Sequence, residues 1–112
     1  MTSLEEALKI ANILDDKKAI DIKVMQVGDL TMVAEYFVIC NGTSNTHIKA
    51  LADEVEFQMK EAGVPGHLEG KASDWLLIDF GSVIAHVFLP SAREHYNLER
   101  LWADAEEVEL DF

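Results

Sequence analysis

Two short apolar runs on either side of a glycine-containing turn constrain the fold of this chain more than any other feature. The runs are Trp75-Leu-Leu-Ile-Asp79 and Val83-Ile-Ala-His-Val-Phe-Leu89, and Phe80-Gly81 follows the first of them. Short runs rich in β-branched and aromatic residues, separated by a turn, indicate a β-hairpin. If Phe80 and Gly81 are the two loop residues, residue 79 pairs with residue 82, 77 with 84, and 75 with 86.

Side chains alternate between the two faces of a strand, so this hairpin presents two chemically different faces. One face is aliphatic and is expected to lie under helices; it carries Leu76, Ile78, Val83, Ala85 and Val87. The other face, which we call the mixed face, combines aromatic rings with a carboxylate and an imidazole; it carries Trp75, Leu77, Asp79, Ser82, Ile84, His86 and Phe88. Such a combination suits a surface that meets a partner.

Two longer segments have the apolar periodicity of helices. One covers residues 3–17 with Ser3 at its N-cap, and the other covers residues 44–62 with Thr43 or Ser44 as the cap. Three further segments are predicted as strands, over residues 20–27, 35–40 and, more briefly, near 67–69. Together these elements predict an α/β (α+β) fold with a single mixed β-sheet and helices mainly on one face.

The C-terminal part of the chain is predicted to be a short helix followed by a tail. Residues 93–102 form the helical segment, and its last residue, Trp102, either packs on the core or belongs to an interface. Residues 1–105 are therefore expected to form a single domain. The acidic C-terminal tail, residues 106–112, is expected to be frayed.

The charge of the chain restricts the class of partner. The formal net charge is −12, from 21 acidic and 9 basic residues. Nucleic-acid binding draws most of its affinity from Lys and Arg that neutralise phosphates, so this balance disfavours direct binding to RNA or DNA. A basic protein is the favoured partner, because opposite potentials speed encounter and improve discrimination. Solubility alone is the alternative interpretation of the charge.

Signals for membrane insertion or export are not apparent. No apolar run approaches the roughly 20 residues that span a bilayer, and the acidic first residues, 1–6, do not resemble a signal peptide. Cys40 is the only cysteine, so it forms no internal disulfide and anchors no multi-cysteine zinc site. These features predict a cytoplasmic protein without a membrane partner.

Motifs of the common enzyme classes are absent. The chain has no Walker A motif, no G-x-G-x-x-G, no H-E-x-x-H, no C-x-x-C and no G-x-S-x-G. Gly42-Thr43-Ser44 resembles the Gly-Ser turn of nucleotidyltransferases, but no D-x-D follows it, and a helix cap without further function is the favoured interpretation. We therefore expect no catalytic residues, no metal and no cofactor.

Asp79 and His86 are the one pair with catalytic chemistry. In the register given above they share a face but lie beyond direct hydrogen-bond reach, and no serine or cysteine completes a triad. The expectation is that Asp79 caps the turn and that His86 stacks on Trp75 and bonds locally. A small nucleotidyltransferase-like or hydrolytic enzyme that uses Asp79 and His86 is the alternative.

Several blocks of the chain resemble the ribosomal silencing factor family, also called Iojap. The most specific blocks are the two hairpin strands and Arg93-Glu-His-Tyr-Asn-Leu-Glu-Arg-Leu-Trp102, preceded by Ala34-Glu-Tyr-Phe-Val-Ile-Cys40, Thr43-Ser44, Ala50-Leu-Ala-Asp53 and Glu69-Gly70. The resemblance covers residues 4–105. It implies a fold related to nucleotidyltransferases but without their catalytic carboxylates.

The resemblance also implies a function. Members of this family bind large-subunit ribosomal protein fourteen, block joining of the two ribosomal subunits and lower translation when nutrients are limiting; homodimers are also associated with the family. Thr46 stands where many relatives carry Arg, so any role of that cation has no counterpart here. A dimeric scaffold that uses the mixed face for self-association is a further alternative. Carried over by position, the docking surface comprises Trp75, Leu77, Asp79, His86 and Phe88, with Arg93 and Tyr96 at its edge.

Overall fold

A single six-stranded β-sheet organises the chain, and the computed structural model describes all residues from 1 to 112. The elements in chain order are α1 (Ser3–Asp16), β1 (Ile20–Gln26), β2 (Tyr36–Asn41), α2 (Asn45–Glu61), β3 (His67–Ala72), β4 (Trp75–Asp79), β5 (Val83–Phe88), α3 (Pro90–Tyr96), α4 (Leu98–Leu101) and β6 (Glu106–Val108). The strand order is β3-β4-β5-β2-β1-β6. Strands β2 and β5 are parallel and the other neighbours are antiparallel, which confirms the predicted mixed sheet.

The N-cap of helix α1 lies one residue earlier than the sequence predicts. The hydroxyl of Thr2, not Ser3, accepts a hydrogen bond from the backbone N–H of Glu5 at 3.1 Å. The Glu5 carboxylate in turn accepts from the Thr2 N–H at 2.8 Å, which completes a capping box. The backbone hydrogen bond from Thr2 is the main reason that the pKa of Glu5 is lowered.

Helix α2 starts directly after β2, and its first turn is closed by side chains. Ser44 caps it, because its hydroxyl accepts from the His47 N–H at 3.1 Å. A Cβ atom at Gly42 would lie only 2.7 Å from Cγ2 of Ile48, so the tight strand-to-helix turn requires glycine. No helix in the structure is both long enough and apolar enough to cross a membrane.

Helices α1 and α2 pack together on one face of the sheet and bury the main core. The helices contribute apolar stripes, and the hairpin contributes its aliphatic face as predicted, because Ile78, Val83, Ala85 and Val87 are all fully buried in this cluster. Leu76 is half-buried and packs against the same cluster. The amphipathic pattern of the two helices thus accounts for the layer that covers this face.

The register of the β4–β5 hairpin differs from the predicted one. Asp79 pairs with Ile84, Leu77 with His86 and Trp75 with Phe88, so each residue of β4 pairs two residues further along β5. The two loop residues are Gly81 and Ser82, and Phe80 donates its N–H to the carbonyl of Val83 at 2.9 Å. Because the shift is two residues, every side chain keeps its predicted face.

Two local features explain this register. Gly81 takes a φ of +89°, which favours glycine at the first loop position. The Phe80 ring is buried in the main core, where it lies so close to Gly66 that a Cβ there would be 2.5 Å from Cε1 of Phe80. A loop position would have left this ring in water, so its burial favours the register that keeps Phe80 in line with the strand.

The C-terminal segment departs from the prediction at two points. The helix predicted over residues 93–102 is two short helices, α3 and α4, separated by Asn97 in the left-handed conformation with φ of +48°. The expectation of a frayed tail is wrong for Glu106–Val108, which form β6 and pair with β1. The reason is apolar burial, because Val108 and Leu110 pack against the main core.

Candidate functional site

The mixed face of the hairpin is part of a second apolar cluster on the other side of the sheet. Its buried members come from β1, β2, β5, α3 and the β1–β2 loop: Met25, Val27, Ala34, Phe37, Ile39, Ile84, Phe88 and Ala92. Half-buried side chains pack around it, namely Trp75, Leu77, Leu98, Trp102 and Ala105. Trp102 is therefore a packing residue, with its ring edge-on to Phe37 at a centroid distance of 5.6 Å.

The seven residues predicted to form the docking surface lie at different depths. Asp79 and Tyr96 are exposed, and Trp75 and Leu77 are half-buried. His86, Phe88 and Arg93 are buried, which corrects the expectation that all seven lie open to a partner. The physical reason is that the chain turns back after Pro90 and lays α3 and α4 over the sheet, which strand alternation alone does not reveal. We call Trp75, Leu77, Asp79 and Tyr96 the hairpin surface.

The Trp75 ring is held by aromatic neighbours and one hydrogen bond. It stacks on Phe88 with 5.1 Å between ring centroids and an interplanar angle of 26°. Tyr96 of α3 lies 4.7 Å away with its ring tilted by 43°. Trp75 Nε1 donates to Nδ1 of His86 at 3.2 Å. Aromatic packing of this kind stabilises beyond the area buried, so the hairpin surface has a rigid aromatic base.

His86 is a buried neutral imidazole. Its Nδ1 accepts the hydrogen bond from Trp75, so in the neutral ring the proton lies on Nε2, which has no hydrogen-bond partner. Burial, with a smaller contribution from the positive charge of Lys71, lowers the pKa of His86 to about 4. The prediction that His86 bonds locally is confirmed by the hydrogen bond from Trp75. The predicted stacking on Trp75 is wrong in its geometry, because the two rings are tilted by 37° with centroids 5.9 Å apart, and the imidazole stacks instead parallel to Phe88 at 6.1 Å.

Asp79 acts at the hairpin turn. Its carboxylate accepts a hydrogen bond from the Gly81 N–H at 2.8 Å, which confirms the predicted turn-capping role. In the observed register Asp79 lies beside the Leu77–His86 pair, closer to His86 than predicted, yet no hydrogen bond joins the two side chains. The structure therefore does not assemble Asp79 and His86 into a catalytic pair.

Other groups with possible chemistry are likewise engaged in packing. Burial raises the pKa of the Cys40 thiol to about 12, so this thiol stays protonated near neutral pH. His47 accepts the Thr43 N–H at its Nδ1 and lies 3.1 Å from the carbonyl oxygen of Lys17 through Nε2, and so links α2 to the end of α1. No group of three or more His, Cys, Asp or Glu side chains is arranged to hold a metal ion.

Arg93 is the hub of a polar network beneath the edge of the hairpin surface. Its Nη1 donates to the carbonyl oxygen of Asp21 at 2.6 Å and to Oδ1 of Asn41 at 3.2 Å. Its Nε donates to Glu99 at 2.8 Å, and Lys23 donates to the other oxygen of Glu99 at 2.9 Å. The hydrogen bond from Arg93 is the main reason that the pKa of Glu99 is lowered. This network joins α3 and α4 to β1 and β2.

Strand β3 adds charged residues beside the hairpin surface that the sequence did not single out. Glu69 pairs with Leu77, and His67 pairs with Asp79, so both project on the mixed face. Lys71 forms an ion pair with Glu69 at 2.8 Å. The bond to Lys71 is the main reason that the pKa of Glu69 is lowered. In the sequence, polar side chains at alternate positions, His67, Glu69 and Lys71, were the pattern that could have predicted a strand with one polar face here.

Comparison with known proteins places the whole chain in one group of sequences. The family model described as "Ribosomal silencing factor during starvation" matches residues 1–112. A ribosomal silencing factor of Bacillus subtilis is 43% identical over 100 residues, which cover 88% of this chain and 85% of that protein. A mouse protein named "Mitochondrial assembly of ribosomal large subunit protein 1" is 39% identical over 98 residues, covering 83% of this chain and 43% of the mouse protein.

The fold is similar to that of solved structures. The crystal structure of a Chromobacterium violaceum protein superposes with a TM-score of 0.88 and 33% identity, covering all of this chain and 94% of that one. The likeness thus extends over both faces of the sheet, including the C-terminal segment that covers the mixed face.

Proposed function

Because this chain belongs to the ribosomal silencing factor family, we propose that it binds large-subunit ribosomal protein fourteen, blocks joining of the two ribosomal subunits and represses translation when nutrients are limiting. The observation that carries the proposal is the hairpin surface. It presents Trp75 and Leu77 half-buried on a rigid aromatic base, with Tyr96 and Asp79 exposed beside them. In this proposal the chain acts by binding and not by catalysis.

The composition of the hairpin surface supports a docking role. Trp and Tyr are enriched among the residues that dominate binding energy at protein interfaces. A ring that is already held in place loses little conformational entropy on binding, which leaves more of the contact energy for affinity. Trp75 meets this condition, because Phe88, Tyr96 and His86 all contact its ring in the free chain.

The buried members of the predicted surface then have a supporting role. His86 and Phe88 lie beneath Trp75, and Arg93 holds α3, the helix that carries Tyr96, against β1 and β2. Their contribution to binding is through the position of the exposed side chains. This assigns all seven predicted residues to one site, at two depths.

Charge supports a protein target more than an RNA target. The net charge of −12 favours encounter with a basic ribosomal protein and disfavours contact with phosphates. Bound at the face where the subunits join, the chain would block joining by its bulk, and its carboxylates would repel small-subunit RNA. This mechanism requires no cofactor. A cytoplasmic location and a homodimer of the free protein are parts of the same proposal.

Sedimentation with separated ribosomal subunits tests this function. We expect the wild-type chain to migrate with the large subunit and not with the small one. Trp75→Ala should weaken that association at least tenfold. Phe57→Ala is the matched control, because Phe57 is an exposed aromatic residue on α2, on the opposite face of the sheet, and it should bind like the wild type.

Two further measurements identify the partner and the consequence. Purified ribosomal protein fourteen should capture the wild type but not Trp75→Ala, and light scattering should show slower association of the subunits when the wild type is present. A wild-type chain that migrates with neither subunit would contradict the proposal and renew interest in an enzyme that uses Asp79 and His86.

A further inference from the structure

The β1–β2 loop, residues 28–34, contains a concentration of exposed apolar side chains that packing does not use. Met32 is fully exposed, Val33 is 67% exposed and Leu30 is 45% exposed. The loop backbone is nevertheless ordered by local bonds, because the N–H groups of Leu30 and Thr31 donate to the carbonyl of Val27 at 2.9 and 3.0 Å. Three large apolar residues within four positions, held in one place, are typical of a contact surface.

The loop and the hairpin surface have a common base. Val27, which directly precedes the loop, and Ala34, its last residue, are buried in the same apolar cluster against which Trp75 and Leu77 pack. The backbone also connects them, because the N–H of Glu35 donates to the carbonyl of Ser82 in the hairpin turn at 2.7 Å. The loop therefore extends the hairpin surface at the end where Asp79 lies.

The size of the hairpin surface indicates that docking needs such an extension. A specific interface covers about 800 Å² on each partner. Burial of a whole aromatic side chain covers roughly 150–250 Å², but Tyr96 is 42% exposed and Trp75 and Leu77 are exposed to a smaller extent. Together with the short side chain of the exposed Asp79, these three residues supply less than about half of the required area.

The charges around the loop indicate the kind of partner. Asp29 and Glu35 flank the apolar residues, and no Lys or Arg occurs between Lys23 and Lys49. An anionic rim of this kind repels RNA, and pairing of this loop with the same loop of a second copy would bring like charges together. It complements an apolar patch surrounded by Lys and Arg on a protein.

We propose that Leu30, Met32 and Val33 form the second part of the docking surface and contact an apolar patch with a basic rim on a protein of the large ribosomal subunit. This inference rests on the proposed function. It adds a contact that the predicted docking residues do not include, and it assigns the exposed loop residues to the same partner as Trp75.

The double variant Met32→Ser/Val33→Ser tests the inference by sedimentation with purified large subunits. Both side chains lie in water, so the thermal unfolding temperature should stay at the wild-type value. We expect binding to the large subunit to weaken at least tenfold, whereas the control Phe57→Ser, which removes an equally exposed apolar residue from the opposite face, should bind like the wild type.

The remaining outcomes separate this inference from the proposed function. A double variant that binds like the wild type while Trp75→Ala binds weakly would overturn the role of the loop and leave the proposed function standing. If the wild type and the double variant bind equally well to large-subunit RNA stripped of protein, the partner is RNA and the role of the loop is overturned. If the wild type is a dimer and the double variant is a monomer, the loop contacts a second copy and its proposed role is overturned as well. A wild type that does not bind the large subunit would overturn both.

Discussion

The Trp75 indole donates a hydrogen bond to the buried imidazole of His86 at 3.2 Å, and the two residues lie on neighbouring strands, two residues out of direct register. The donor belongs to the half-exposed hairpin surface, and the acceptor is 4% exposed. A side chain that contacts no partner itself thus determines the orientation of one that is proposed to do so.

Removal of this buried acceptor should therefore change the orientation of the Trp75 ring, although no exposed residue of the hairpin surface is substituted. In His86→Leu, the indole N–H loses its partner, so its proton NMR resonance should shift and binding to the large subunit should weaken several-fold. His86→Asn places an amide oxygen near the former Nδ1 and should retain most of both properties. Trp102→Phe leaves Trp75 as the only indole for assignment. An unchanged resonance in His86→Leu would show that the hydrogen bond is not made in solution.

The buried imidazole should also make stability depend on pH. The pKa of His86 falls from 6.5 to about 4 on folding, so the unfolded chain binds the proton more readily, and stability declines as pH falls from 6.5 towards 4. At pH 5 the expected loss from this group is about 2 kcal/mol, at 1.36 kcal/mol per pH unit. Urea unfolding at pH 7 and pH 5 measures it.

The control for this pH dependence is His86→Leu, which retains every other titrating group. Carboxylates with lowered pKa, such as Glu99, lose stability in acid in both proteins. The difference between the two slopes therefore isolates the imidazole. Identical slopes for the wild type and the variant would show that His86 titrates normally.

Arg93 should be important for stability because its partners are left without a donor when it is removed. Arg93→Ala removes the donor to Asn41 Oδ1 and to one oxygen of Glu99, whose other oxygen keeps its bond from Lys23. Removal of one partner of a buried ion pair costs about 3 kcal/mol or more. We expect a loss near 3 kcal/mol in urea unfolding, reduced by the part exposure of Glu99. Arg100→Ala, an exposed arginine on α4, should change stability by less than about 0.5 kcal/mol.

The packing of Phe80 on Gly66 gives a test of the hairpin register. A Cβ at residue 66 would lie 2.5 Å from the Phe80 ring, so Gly66→Ala should destabilise the fold by about 2 kcal/mol through overpacking. Gly70→Ala is the matched control in the adjacent strand β3, because its Cβ would meet only Leu76 at 3.7 Å. Equal unfolding free energies for the two variants would show that Phe80 does not pack there.

Sequence patterns predicted the helices and strands that are determined by residues close together in the chain. Strand alternation gave both faces of the hairpin, and helical periodicity gave α1 and α2, because each depends on residues close together in the chain. The hairpin register depended instead on the burial of Phe80 against Gly66. That contact joins residues far apart in sequence, and no pattern within the hairpin indicates it.

Strand alternation predicted which side chains share the mixed face, but not how deeply each of them is buried. The composition of the mixed face led to Trp75 and His86, yet the cover over that face depends on the left-handed Asn97 that separates α3 from α4. The same break allows Arg93 to bond Glu99, six residues later. In one continuous helix, residues six apart would lie on different sides and would not meet. A non-glycine residue in the left-handed conformation is too uncommon to predict from sequence.

Strand β6 has a consequence for the solution behaviour of the protein. Val24, Met25 and Gln26 of β1 would otherwise present unpaired backbone groups along an open sheet edge, and Glu106–Val108 occupy it. The opposite edge, β3, carries the charged side chains of Glu69 and Lys71, which discourage another strand from adding there. A chain that ended at residue 105 would lose the cover from one edge and would be prone to intermolecular strand pairing and aggregation.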